Sequence, residues 1–332
     1  MRKTLALIAA CIALAIAGLN PATAQQPTSV NPTASSVQED KLLNALKPNE
    51  SVSGRVTIPD SQSRRLIQPE GRDYQAERAQ SAQLGGYIIV GAFAVLSLFY
   101  LVRGRIKITG GPSGRTITRF GFLDRFAHWL TSTSFLLLAL TGLNLSFGRT
   151  LVLPIVGPET FTVLTQYGKF THNYISFAFA AGIILMFLLW VKDNLPASGD
   201  IRWFAQGGGL IGLGHPPADR FNGGQKLIFW SVVGIGGAIA VTGYMMMFPF
   251  QGTTMADMQW ANVWHGLLGF ILFAIMIAHI YIGSLGMEGA FAAMGSGQVD
   301  ANWAREHHSE WAAKMGTDAD RVSSGAKPTP AE

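Results

Sequence analysis

The stretch Asn262–Tyr281, NVWHGLLGFILFAIMIAHIY, is apolar for nearly its whole length and carries a histidine near each end, His265 and His279. An α-helix needs about 20 such residues to cross the hydrocarbon core of a bilayer. Between the two histidines a helix rises about 21 Å. At about 100° per residue, their side chains differ by only about 40° in direction. Both imidazoles therefore point from one face of a transmembrane helix, at opposite depths.

The composition of the whole chain is typical of a membrane protein. Of its 332 residues, 48% are hydrophobic and 14% are charged, and the mean hydropathy is +0.26. These values argue against an ordinary soluble domain. The formal net charge of +5 is modest, and the cations cluster beside apolar segments. Cations in this position indicate how a chain in contact with membrane lipid is oriented in the bilayer, and they argue against binding to nucleic acid.

The N-terminus has the layout of a secretory signal peptide. Two early cations precede an apolar run and an Ala-x-Ala cleavage site that ends at Ala24, so residues 1–24 are predicted to be removed. The single cysteine, Cys11, lies inside this segment. The mature chain is therefore expected to lack disulfides, thiolate-bound zinc and cysteine-ligated iron–sulfur clusters. Residues 25–83 are polar and predict a largely irregular periplasmic extension.

Five apolar segments of transmembrane length follow the extension. They cover approximately residues 84–102, 127–147, 171–191, 227–247 and 262–284. The first is an additional transmembrane helix without histidine. The other four belong to a predicted four-helix bundle within residues 116–290, which residues 291–332 follow as a tail. The predicted fold class is an all-α integral membrane protein, with a four-helix bundle and one extra N-terminal helix.

Lysines and arginines predict the orientation, because cytoplasmic connections carry an excess of them. They are frequent between the first and second spans and between the third and fourth. The connection 248–261 contains none, and the connection 148–170 contains only Arg149 and Lys169. We therefore expect a multi-pass protein of the bacterial inner membrane. Its mature N-terminus lies in the periplasm and its C-terminus in the cytoplasm.

Two further histidines match the depths of the first two. His128 begins the second span at its cytoplasmic end, and His172 begins the third span at its periplasmic end. The topology pairs His128 with His279 on the cytoplasmic side, and His172 with His265 on the periplasmic side. Opposed neutral imidazoles in an apolar helical bundle are typical axial ligands of b-type haem. The two histidine pairs predict two haems. The predicted role is one-electron transfer, because an iron with both axial positions filled has no site for a substrate.

Other interpretations of the same histidines stay open. A histidine at the end of a span is often an interfacial or packing residue of a structural anchor, and an intramembrane histidine can relay protons in a transporter or channel. Four histidines at two matching depths within one four-span bundle favour haem. No ligand role is assigned to the remaining three: His215 is expected in solvent, and His307 and His308 at a surface or subunit contact.

The turn before the fourth span, Asn222-Gly223-Gly224-Gln225, has two interpretations. Asn222 followed three residues later by Gln225 resembles a capping box. Alternatively, the turn is a quinone pocket, because glycine lets a ring approach the backbone and the two amides can hydrogen-bond a quinone carbonyl. It lies on the same side as the predicted His128–His279 haem.

Small residues in the fourth span leave a second question open. Close helix packing and room for a porphyrin edge would each explain them. The residues concerned are Gly234, Gly236, Gly237 and Gly243.

The block from about residue 116 to 315 resembles the gamma subunit, or cytochrome b subunit, of respiratory formate dehydrogenase. The matching stretches are FLDRFAHW, GKFTHNY, FNGGQKLIFWS, WHGLLGF followed by IAHIY, and GQVDANWAREHHSEW. The N-terminal segment RVTIPDSQSRRLIQPEGRDY is similar to the longer versions of this subunit, which add a periplasmic segment and one further helix.

This resemblance implies two b haems, a quinone site and two partner subunits. The four paired histidines would be the axial ligands. The quinone, menaquinone or ubiquinone, would bind near His279 at Asn222, Gly224 and Gln225. A molybdenum- or tungsten-dependent alpha subunit would oxidise formate in the periplasm, and an iron–sulfur beta subunit would pass the electrons to this chain, which would deliver them to quinone. A di-haem cytochrome b of a nickel–iron hydrogenase, or of another periplasmic dehydrogenase, would use the same bundle. Arg125 is predicted to pair with a haem propionate.

Overall fold

The computed structural model describes residues 69–210 and 214–323. The signal-peptide prediction, and the extension prediction before residue 69, lie outside these described residues. Two short strands pair: β1 (Thr116–Thr118) and β2 (Gln298–Asp300). The helices are α1 (Pro69–Arg103), α2 (Phe122–Leu151), α3 (Leu153–Trp190), α4 (Ser198–Ala205), α5 (Gly223–Met247), α6 (Met255–Tyr281), α7 (Ala292–Gly295), α8 (Ala301–His307) and α9 (Ser309–Ser323).

Five of the described helices are long and apolar enough to cross a membrane: α1, α2, α3, α5, and α6 with the π-turn Ile282–Gly286 that continues it. Their number and order confirm the predicted fold class of an all-α integral membrane protein. Each begins or ends beyond its predicted apolar segment, because a helix continues into polar residues once it leaves the hydrocarbon.

The first helix corrects a predicted boundary. α1 begins at Pro69, so residues 69–83 are helical and not irregular. This stretch, PEGRDYQAERAQSAQ, is rich in good helix formers and has proline at its start, where the missing N–H costs nothing. The 35-residue helix is about 52 Å long, which exceeds a hydrocarbon core of roughly 30 Å. Hydropathy alone therefore detects only its membrane-embedded part.

The helices pack as two antiparallel pairs and one outer helix. α2 packs along α3, α5 packs along α6, and α3 also contacts α5. Contacts between α2 and α6 are sparse by comparison. α1 lies on the outside of α6, where Tyr74 Oη donates to Asn262 Oδ1 at 2.9 Å. Gly85 permits the close approach, because a Cβ on it would lie 1.9 Å from Cδ2 of Phe270.

One end of the bundle, here called the basic end, carries the connections 104–121 and 191–222 and the segment after α6. At this end β2 pairs with β1 and Met287 bridges to Ile106. Trp303 of α8 is 2% exposed. The predicted tail is thus a folded layer up to α9, at least through its described residues. The elements are too short to produce a periodic signal in the sequence.

A buried arginine connects this layer to the start of α5. Nη2 of Arg119 donates to the carbonyl of Arg220 at 2.7 Å and to Oε1 of Gln225 at 3.2 Å. It also lies 2.9 Å from Nε2 of His308, whose Nδ1 is 2.6 Å from the carbonyl of Asp219. A carbonyl only accepts, so the His308 proton is on Nδ1 and Nε2 accepts from Arg119. Burial, and then the charge of Arg220, lower the pKa of Arg119 to about 9.

The position of His307 and His308 at a surface, as predicted, is wrong. They are 7% and 0% exposed. Their double-histidine sequence looks polar, but the fold buries both rings between α8 and the connection before α5. Burial, and then the charge of Arg119, hold the pKa of His308 well below its ordinary value, so the ring is neutral near pH 7.

Candidate functional site: two histidine pairs in the bundle

The structure brings both predicted histidine pairs together. The ring centres of His128 on α2 and His279 on α6 are 6.2 Å apart. Those of His172 on α3 and His265 on α6 are 6.1 Å apart. α6 therefore supplies one imidazole to each pair, near the two ends of its apolar segment 262–284, and a different helix supplies the other.

The spacing suits two imidazoles on opposite sides of one metal ion. Metal–nitrogen bonds of about 2.0–2.1 Å, with the ring centre about 1.1 Å further on, place the two centres roughly 6.3 Å apart. Aromatic rings in direct contact reach similar distances. The orientation of the ring nitrogens is therefore the more informative observation.

In the His172–His265 pair, Nδ1 of each ring is engaged in a hydrogen bond outside the pair. Nδ1 of His265 lies 3.0 Å from the carbonyl of Ile239, which can only accept. Nδ1 of His172 lies 2.8 Å from Oγ1 of Thr141. That hydroxyl donates its own proton to the carbonyl of Leu137 at 2.7 Å, so it accepts from Nδ1 of His172. Both Nδ1 atoms are therefore protonated, and both Nε2 atoms keep a lone pair for a metal. Such outer hydrogen bonds are typical of ligating histidines.

Glycines lie against these two rings. A Cβ on Gly243 would lie 3.1 Å from Cε1 of His265, and one on Gly142 would lie 3.4 Å from Cε1 of His172. By contrast, a Cβ on Gly236 would meet Cδ1 of Ile183 at 3.0 Å. The small residues of the fourth span thus divide: Gly236 serves helix packing, whereas Gly243 makes room for an imidazole.

The other pair, at the basic end, has unsatisfied polar atoms around it. Nδ1 of His128 and Nε of Arg125 are buried without a hydrogen-bond partner among the described residues. Nη1 of Arg125 donates to the carbonyl of Gly295 at 2.9 Å. These atoms fit a polar group bound between α2 and the segment after α6. The pairing of Arg125 with a propionate stays a prediction.

The turn at the start of α5 confirms the capping-box interpretation. Oδ1 of Asn222 accepts from the Gln225 amide at 2.9 Å, and Oε1 of Gln225 accepts from the Asn222 amide at 3.1 Å. A Cβ on Gly224 would lie 2.8 Å from the indole of Trp203, so the ring beside this glycine belongs to α4. The side-chain oxygens are used in the cap, which leaves the amide NH2 groups as donors. The quinone role of Asn222, Gly224 and Gln225 stays a prediction.

An apolar surface groove, which the sequence did not reveal, begins close to this turn. Its volume is about 430 Å³ and its walls include Leu227, Trp230 and Gly234 of α5 and Leu268 of α6. Residues spaced three and four apart on α5 form one face of that helix. The groove therefore runs from the region of the turn toward the middle of the bundle.

Fold and site define a class: a multi-pass helical membrane protein whose half-buried histidines oppose one another in pairs, each from two helices. A family model described as prokaryotic cytochrome b561 matches residues 119–297. The chain belongs to this family, and within it to the cytochrome b subunits of formate dehydrogenase. The resemblance found in the sequence is thereby confirmed. The family implies binding of haem b and a redox role in electron transfer.

Similar proteins support this assignment. The cytochrome b556(Fdn) subunit of nitrate-inducible formate dehydrogenase from Escherichia coli K12 is 30% identical over 203 residues, covering 59% of this chain and 90% of that protein. The cytochrome b556(fdo) subunit from the same strain is 28% identical over 201 residues, 59% and 92% of the two chains. The formate dehydrogenase cytochrome b556 subunit of Haemophilus influenzae is 30% identical over 194 residues, 56% and 78%.

Proposed function

We propose that this chain carries electrons across the bacterial inner membrane within a formate dehydrogenase complex. Electrons would enter from an iron–sulfur beta subunit on the periplasmic side, pass two b haems and reach quinone near the cytoplasmic side. The observation that carries this proposal is the two pairs of opposed imidazoles at two depths along α6. Along the helix axis His265 and His279 are separated by about 21 Å, so together they serve both halves of the membrane.

The four histidines would hold the haems as His128 with His279 and His172 with His265. A bound haem with two imidazole ligands supplies one-electron exchange without an open coordination site. The chain supplies the orientation. Thr141 fixes the His172 ring through Nδ1, and the apolar bundle keeps water away. The sparse contact between α2 and α6 supports a group placed between them.

The quinone would bind at the basic end, at Asn222, Gly224 and Gln225. Arg119 and the cap occupy the side-chain oxygen of Gln225, so its amide nitrogen is the atom available to donate to a quinone carbonyl. The groove that begins near Leu227 offers an apolar surface to a lipid-soluble molecule. Menaquinone and ubiquinone both have this chemistry.

The distribution of cations supports the sidedness of the proposal. With the basic end in the cytoplasm, electrons move inward from a periplasmic donor. Each electron that crosses the full potential stores about 2.3 kcal/mol per 100 mV. The names of the relatives support a formate dehydrogenase partner. We infer a molybdenum- or tungsten-dependent alpha subunit for formate oxidation, a reaction that the cytochrome b subunit leaves to its partners.

Haem content of the purified complex tests the proposal. A pyridine haemochrome assay should give two b haems per chain in the wild type and one in His265→Ala or His279→Ala. Quinone reduction should fail in both variants. Met245→Leu is a matched control. Met245 lies on α5 of the same bundle and belongs to neither histidine pair, so its replacement should leave the haem spectrum unchanged.

Colourless protein would contradict the electron-carrier role and favour a proton relay. Unchanged quinone reduction in the histidine variants would favour a structural anchor. The co-purifying subunits identify the partner: a nickel–iron subunit in place of an iron–sulfur and molybdenum or tungsten pair would reassign the complex to a hydrogenase.

A further inference from the structure

A second cluster of metal-binding side chains lies at the basic end. It combines His215, in the connection before α5, with Glu306 and His307 at the end of α8. One donor atom from each residue lies within 4.8 Å of the other two. Nε2 of His215 is 3.8 Å from Oε2 of Glu306, and the rings of His215 and His307 have centres 5.1 Å apart.

Two atoms of this cluster are buried without the partner that buried polar atoms require. Oε2 of Glu306 and Nε2 of His307 make no hydrogen bond within the described part of the chain. Buried polar atoms in folded proteins are nearly always satisfied, and an exception needs a specific explanation such as a bound ion. Three converging donors with two unsatisfied atoms meet that description.

We propose that His215, Glu306 and His307 bind one divalent transition-metal ion, for which Zn²⁺ is the reference. Two imidazoles and one carboxylate are a common zinc ligand set, and imidazole also suits iron, nickel and copper. Tetrahedral zinc with bonds of about 2.0–2.1 Å places its ligand atoms about 3.3 Å apart. The donors must therefore approach one another by up to about 1.5 Å relative to this structure. The side chain of His215 can move, since it is 31% exposed on a loop, and the open side leaves room for a water ligand.

The metal would join two parts of the chain that are distant in sequence. Glu306 and His307 belong to the segment after α6, whereas His215 belongs to the connection that leads to Asn222 at the start of α5. The ion would therefore fasten the C-terminal layer to the loop before the capped turn. This role is structural and is independent of the haem and quinone proposals.

The test uses the full complex, purified through an affinity tag without histidine and treated with a chelator. Titration calorimetry with Zn²⁺ should show one site per chain. Glu306→Gln keeps the shape of the side chain but removes the anionic ligand, and should weaken Zn²⁺ binding at least about tenfold. His215→Ala, on an exposed loop, should weaken it likewise. Glu310→Gln is the matched control, because Glu310 is exposed on the neighbouring helix α9 and is not one of the three residues of this cluster.

Each outcome decides the matter. Loss of Zn²⁺ affinity in the two site variants, with haem content unchanged and Glu310→Gln unaffected, would support the site. Elemental analysis of the untreated complex would then name the native metal. A wild type that binds Zn²⁺ no better than Glu306→Gln would overturn the proposal. So would a Glu310→Gln variant that loses as much affinity as Glu306→Gln.

Discussion

If the chain binds the two haems proposed above, replacement of Gly243 by alanine should disturb the haem at His172 and His265 and leave the other unchanged. The new Cβ would lie 3.1 Å from Cε1 and 3.5 Å from Nδ1 of His265. Carbon atoms in ordinary contact are about 3.5–4.0 Å apart, so the ring must retreat by at least about 0.4 Å. His265 is held by the hydrogen bond from its Nδ1 to the carbonyl of Ile239 at 3.0 Å, and this bond resists the displacement.

The magnitude follows from that hydrogen bond. If the whole retreat falls on it, the Nδ1–O distance becomes about 3.4 Å, outside the usual range of 2.7–3.2 Å. A net contribution of about 0.5–1.5 kcal/mol is then lost, which weakens haem binding by up to roughly tenfold. The bond also raises the basicity of the ligating nitrogen, and this favours oxidised iron. Its loss should raise the reduction potential of this haem, by up to about 59 mV for a tenfold effect on one oxidation state.

A spectroscopic redox titration of the purified complex measures the shift, because the two proposed haems would titrate as two components. Gly237→Ala is the matched control on the same helix, since a Cβ there would have nothing within 4 Å. It shares the backbone effect of replacing glycine. Gly142→Ala, with its contact at 3.4 Å to His172, should shift the same haem by less. Equal potentials in the Gly243→Ala and Gly237→Ala variants, or equal shifts of both haems, would refute the reasoning.

Two further predictions concern stability. Gly85→Ala places a Cβ 1.9 Å from Cδ2 of Phe270, and overpacking of this kind costs about 1–3 kcal/mol of stability. The Gly85→Ala variant should therefore unfold at a lower temperature than the control Gly91→Ala, where a Cβ meets nothing within 4 Å. Asp300 has a lowered pKa: burial alone would raise it, but hydrogen bonds from the backbone and hydroxyl of Ser113 and from the backbone amides of Asn302 and Trp303 together outweigh that effect. Because the folded pKa is below the unfolded one, this stabilisation is present above the ordinary pKa and is lost as the pH falls through the lowered folded pKa. Asp300→Asn should reduce this acid dependence of the unfolding temperature, and an unchanged dependence would exclude the carboxylate as its source.

Residues 127–147 and 262–284 show why the membrane part could be predicted from the sequence. Their apolar length identifies spans, because any segment that crosses a bilayer must satisfy its backbone internally and present hydrocarbon to lipid. The regular helix then determines which side chains share a face. The directions of His265 and His279 on α6 therefore follow from local geometry alone, and their partners follow from the depths of the spans.

The basic end could not be predicted in the same way. The capping box of Asn222 and Gln225 is local in sequence, and the sequence identified it. Arg119 and His308, however, meet across 189 positions, and nothing in their own neighbourhoods indicates the contact. Short elements such as β2 and α8 contain too few residues for a periodic pattern.

The sequence by itself determined the number of spans, the all-α class and the depth of each intramembrane histidine, because these properties depend on hydrophobic length and helical repeat. Only the tertiary structure decided that Gly243 faces an imidazole while Gly236 faces a helix, that the C-terminal segment folds onto the connections, and that His215 meets Glu306. The physical reason is that these features depend on the register between elements distant in the chain. Register is set by the packing of the whole molecule, and no local pattern of residues encodes it.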